Sequence, residues 1–122
     1  MAEKIYKGTD VKLNIHIDPI AGQHMESYNF TLTFYTPDGK KKIFKKTTAS
    51  LPAGLSKIGE DDYIVHLQTD ELGEGSVKCN IEAEIYDVEL GIHKTEIAII
   101  NCNIKIVEWD VEVQQLHYKE SP

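Results

Sequence analysis

The chain has 122 residues, with 13 lysines, no arginine, 20 acidic residues and a formal net charge of −7. That length is expected to hold one compact domain with no room for a second. Its 41% hydrophobic and 27% charged residues fit a globular protein and exclude a disordered one.

No apolar run approaches the roughly 20 residues needed to cross a bilayer. The start, Met-Ala-Glu-Lys-Ile-Tyr-Lys, has no apolar core of signal-peptide length, so a chain made and kept in a cytoplasm is expected. Two cysteines are too few for a disulfide scaffold, and the sequon Asn29-Phe30-Thr31 is then expected to stay unglycosylated. Val, Ile and Thr fill 30 positions, and Ile outnumbers Leu by 15 to 8. Stiff β-branched side chains suit a pleated sheet better than a helix, which predicts an all-β domain. Charge divides unevenly: residues 1–59 carry 9 lysines against 5 acids, and residues 60–122 carry 4 against 15. Such asymmetry could join one subunit's basic part to another's acidic part. In a sandwich, strands from both halves share sheets, so the expectation is that these charges mix over one surface.

Along the chain, Val11, Leu13, Ile15 and Ile17 alternate with polar residues, which predicts a half-buried strand ended by Asp18-Pro19. Residues 28–35 put Tyr28, Phe30, Leu32 and Phe34 on one face. Pro37-Asp38-Gly39 then turns the chain into a hairpin with residues 41–48. Residues 49–61 read as a loop with at most a short edge strand, and residues 62–68 as a strand with Tyr63, Val65 and Leu67 inward. Thr69-Asp70-Glu71-Leu72-Gly73 resembles one helical turn with a polar cap and a glycine stop. From Gly75 a long strand faces Val77, Cys79, Ile81, Ala83 and Ile85 inward. Residues 93–106 return against it after the turn at residues 87–91. Ile97 and Ile99 are odd while Ile100, Cys102, Ile104 and Ile106 are even, and this switch predicts a β-bulge. A second switch follows, because Trp109, Val111 and Val113 are odd again. The count is about seven strands at sandwich spacing, which predicts a single antiparallel β-sandwich over residues 1–107, the span for which the resemblance given below implies an Ig-like fold.

Little in the sequence points to catalysis. Cys79 and Cys102 lie in the two arms of the long hairpin. They could pair or supply half of a metal site, but without a second pair or Cys-x-x-Cys spacing they read as buried thiols. His16, His24, His66, His93 and His117 stand in no ligand spacing, and no nucleophile elbow or phosphate loop is present. Glu60-Asp61-Asp62 lacks the alternation of a calcium loop and reads as a solvated loop tip. Lys40, Lys41, Lys42, Lys45 and Lys46 form the one basic cluster, a candidate electrostatic contact. With no arginine forks and an acidic whole, nucleic-acid binding is not expected, and an edge-strand guard is the better reading. No catalytic residue, cofactor or metal is therefore expected.

Residues 108–122 are the most informative segment. Glu108-Trp109-Asp110-Val111-Glu112-Val113 alternates, holds the only Trp, and is extended by Leu116 and Tyr118. Either it is a last strand on its own domain, or an arm that adds to a neighbour's sheet through Trp109, Val111, Val113, Leu116 and Tyr118.

The start Ile5-Tyr6-Lys7-Gly8-Thr9-Asp10 with Val11-Lys12-Leu13-Asn14-Ile15, followed by residues 28–36, resembles the N-terminal Ig-like domains of tailed-phage baseplate upper proteins. Leu72-Gly73-Glu74-Gly75-Ser76-Val77-Lys78-Cys79, the turn Tyr86-Asp87-Val88-Glu89-Leu90-Gly91, Lys94-Thr95-Glu96-Ile97 and Ile104-Lys105-Ile106-Val107 are similar to small Ig-like virion proteins of crAss-like and related phages. The resemblance covers residues 5–107 as a pattern and brings no catalytic residues. It implies a virion structural protein (a head-fibre base, a capsid-decorating piece or a tail or baseplate adaptor) made in a host bacterium. Its partners would be other virion proteins and further copies of itself, with no membrane. The alternative is a stand-alone carbohydrate- or protein-binding sandwich, which would present Tyr6, Tyr63, Tyr86 and Tyr118 as an exposed aromatic cluster.

Overall fold

The computed structural model describes residues 2–108. Eight strands follow in order: β1 (Glu3–Tyr6), β2 (Asp10–His16), β3 (Asn29–Tyr35), β4 (Lys41–Lys46), β5 (Leu55–Gly59), β6 (Asp62–Gln68), β7 (Gly75–Asp87) and β8 (Ile92–Val107). Two 3-10 turns, Met25–Ser27 and Thr69–Glu71, are the helical segments among the described residues, and no helix there is long and apolar enough to cross a membrane. The five-stranded sheet runs β1-β8-β7-β3-β4 and the three-stranded sheet β2-β6-β5. In immunoglobulin terms the small sheet is B-E-D, and the large one is G-F-C-C′ with a first strand lying parallel beside G. The chain is an Ig-like β-sandwich. Each sheet takes strands from both halves of the sequence, so the basic and acidic halves interleave.

Alternation builds the core as expected. Phe30, Leu32 and Phe34 of β3, Tyr63, Val65 and Leu67 of β6, and Val77, Cys79, Ile81, Ala83 and Ile85 of β7 are all buried. The Phe30 ring meets Tyr63 edge-on at 5.2 Å, and Phe34 meets Phe44 at 5.8 Å, so aromatic contacts tie the strands together. At one end, the Gly73 N–H donates to Thr36 Oγ1 at 2.9 Å. A Cβ on Gly73 would collide with the Asp38 carboxylate, so this close approach requires glycine.

Two features depart from the sequence expectation. Short β1 completes the large sheet where the sequence suggested only a start segment, while β5 is the short edge strand that residues 49–61 allowed. The register shift in the long hairpin falls opposite Ser76 and Lys78, which pair with Lys105 and Asn101, and not at Ile99. Four steps along β8 match two along β7, so the insertion is two residues and leaves the face unchanged. Asn103 takes a left-handed φ of 59°, and its N–H donates to Asn101 Oδ1 at 2.9 Å. Ile97 and Ile99 therefore do not join the core. They point outward.

Lys46 is the unexpected core residue. Its ammonium donates to the carbonyls of Met25 (2.8 Å), Glu26 (3.0 Å) and Tyr28 (2.7 Å), and burial pushes its pKa down. The β2–β3 connection is thereby pinned to β4. Lys46→Ala should cost about 2–4 kcal/mol in urea unfolding, because three carbonyls lose a charged donor. Lys45→Ala, on the exposed face, should stay within about 0.5 kcal/mol. Equal effects of the two would refute this division.

Candidate functional site

The large sheet ends in two very different edges. On one side, β4 carries the lysine cluster, split by the two-residue strand period. Lys41 and Lys45 are exposed with Lys40 in the preceding turn, while Lys42 and Lys46 lie on the core-facing side. Lys42 pairs with Glu71 at 3.2 Å and lies 5.8 Å from the Phe44 ring centre. Lys46 is withdrawn into the carbonyl cradle described above, so it is not a surface contact as the sequence suggested. Lys40, Lys41 and Lys45 remain as a charged guard along an edge strand.

On the other side, β1 pairs with β8 only at residues 104–107. Among the described residues nothing pairs with the outer edge of β8 over residues 92–101. Residues opposite one another across β7 and β8 share a face, so Ile100, Ala98, Glu96 and Lys94 lie beside Cys79, Ile81, Ala83 and Ile85. Ile97 and Ile99 take the opposite face and are 63% and 65% exposed. Among the described residues, 97–100 thus present an uncharged, apolar strand edge without a pairing partner, with exposed side chains on both faces.

The inner side of this edge opens into a groove. Ile17 and Ile20 beyond β2, Ile81 and Ala83 of β7, and Ala98 and Ile100 of β8 line a space of about 420 Å³, with His16, Asp18 and Glu96 at its polar margin. The loop after β2 is held against the hairpin by Gln23 Nε2, which donates to the Tyr86 carbonyl at 2.6 Å. The groove is therefore bounded by a tethered loop on one side and an open strand on the other.

Beside it lies the acidic loop, in which the Glu60 and Asp62 side chains stay exposed as expected while that of Asp61 is largely covered. Asp61 accepts from His24 Nδ1 at 2.6 Å and from the Met25 N–H at 2.9 Å, while His24 Nε2 faces Glu60 at 3.3 Å. His16 is held in the same way by Asp62 and Asp18, both at 2.9 Å. His24, Glu60 and Asp61 bring possible metal-ligand atoms within 4.8 Å of one another. The two carboxylates already satisfy both ring nitrogens, so the group is complete as an ion-paired loop anchor. Cys79 and Cys102 are free thiols, raised by burial to about 12 and about 11, which makes them poor nucleophiles.

Only an imidazolium donates from both nitrogens, so the carboxylates of Asp18 and then Asp62 raise the His16 pKa above 6.5, and Asp61 raises that of His24. A pKa raised on folding adds stability that is complete below the unfolded value and is lost as pH climbs through the folded one. Stability in urea should accordingly fall as pH rises above the ordinary histidine value of about 6.5. A His16→Gln, His24→Gln double variant should flatten that slope, and an unchanged slope would show that other groups set it.

The remaining sequence candidates are scattered. Tyr63 is buried in the core, whereas Tyr6 and Tyr86 sit at opposite ends of the large sheet, so these three make no aromatic platform. Tyr118, Trp109, Val111, Val113 and Leu116 lie outside the described residues. The β8 edge was hidden in the sequence because its outward isoleucines look like core residues out of phase. No protein-family model matches the chain, and no curated protein does either.

Proposed function

We propose that this chain is a non-enzymatic structural protein of a tailed-phage virion, an Ig-like module that joins other copies or neighbouring proteins through strand edges. The contrast between the two edges of the large sheet carries this reading. Natural sheets defend their edges with lysines, short strands or covering elements. Here β4 is defended in that way, while residues 97–100 of β8 hold no charge at all. An edge left apolar on one side of a sheet guarded on the other is a place where another strand belongs.

The virion setting rests on the resemblance of residues 5–107 to phage Ig-like modules. The absence of arginine and the net charge of −7 favour protein partners over nucleic acid. A carbohydrate platform draws no support from the tyrosines, since Tyr63 faces the core.

Light scattering on the full chain tests the reading. The expected mass at high concentration is a multiple of 13.8 kDa. The contact is apolar, so about 0.5 M salt should not dissolve it. An Ile97→Glu, Ile99→Glu double variant, which sets carboxylates along this edge, should keep its β-sheet circular dichroism and scatter as a monomer. A wild-type chain that stays monomeric at every concentration would remove self-assembly. An oligomer indifferent to the double variant would move the contact off this edge.

A further inference from the structure

The β8 edge and the groove behind it specify what can fill them. A strand laid along residues 92–101 would pair its backbone with β8 and turn alternate side chains inward between Ile17, Ile20, Ala98 and Ile100. Its other face would look outward, beside His93, Thr95, Ile97, Ile99 and Asn101, a row without a carboxylate. The occupant must therefore be extended, apolar at every second position, and free to carry acids in between. Trp109-Asp110-Val111-Glu112-Val113 has that pattern.

The same chain cannot deliver this segment to its own groove. Strand β8 runs from the groove toward Val107, and β1 occupies its edge over residues 104–107. Ile100 lies seven residues back, about 23 Å along an extended strand. Trp109 is two residues past Val107 and reaches about 7 Å at most, Val111 about 14 Å and Val113 about 22 Å. None of the three can come beside residues 97–100 of its own β8. A second copy has no such restriction.

We infer that residues 109–113 of a second copy of this chain add as a strand to the open edge of β8, with Trp109, Val111 and Val113 directed into the groove. This rests on the assembly reading above and names its acceptor edge and its donor segment. The device is a sandwich that leaves one strand position open and fills it in trans, which gives both stability and a defined direction of assembly.

Because Trp109 is the only tryptophan, its fluorescence in the full-length protein reports the docking directly. Between about 0.1 and about 100 µM, emission should move to shorter wavelength as the scattered mass rises. Ile100→Glu, which places a carboxylate in the groove, should keep its circular dichroism but lose the shift. Adding Trp109→Phe protein, which has an open groove and no tryptophan, should restore the shift to the Ile100→Glu protein. No restoration, or a short-wavelength emission independent of concentration, would overturn insertion in trans. Long-wavelength emission from a protein that still oligomerises would overturn this inference and leave the assembly reading standing. Long-wavelength emission from a persistent monomer would overturn both.

Discussion

The arms of the β7–β8 hairpin are 13 and 16 residues long, while the strands of the opposing sheet have 7, 7 and 5. At about 3.4 Å per residue, a small sheet some 24 Å long cannot cover a hairpin of about 44 Å or more. The mismatch has one consequence on each arm. Strand β7 lies in the middle of its sheet, and the loop after β2 helps cover it, so its inward residues are buried throughout. Strand β8 lies outside β7 and gains only a four-residue partner in β1, so among the described residues its first half keeps an open edge, with one face exposed and the other only partly covered by the loop after β2. The groove, the exposed isoleucines and the proposed docking all follow from that difference in length.

The rest of the molecule is arranged to keep this region rigid. Gln23 ties the β2–β3 connection to the hairpin at Tyr86, Asp61 and His24 fix the loops beside it, and Lys46 anchors its far end to β4 through three carbonyls. A preformed edge loses less conformational freedom on pairing than a mobile one, so tethers of this kind favour binding. The neighbouring histidine pairs contribute most when protonated, which couples the walls of the groove to pH.

Much of the fold was legible because burial on one face imposes a period of two. The strands at residues 62–68 and 75–87 and the β3–β4 hairpin follow directly from that rule. The same rule misled at Ile97 and Ile99, since it assumes that a row of isoleucines faces the core. The true irregularity near Asn103 adds two residues and so preserves the period, which conceals it. Lys46 was unreadable for another reason. A lysine in a run of lysines gives no sign that three carbonyls from a distant turn converge on it. Strand β1 was missed because a four-residue strand beside β8 leaves no periodic signature of its own.

Amide hydrogen exchange along β8 in the full-length protein tests the central claim most directly, because it reads the open edge itself. Exchange at residues 92–101 should slow as protein concentration rises from micromolar to millimolar, while amides in the middle of β3 stay unchanged. Identical exchange at residues 92–101 across that range would contradict the account, and this edge would then be an exposed strand with nothing to receive.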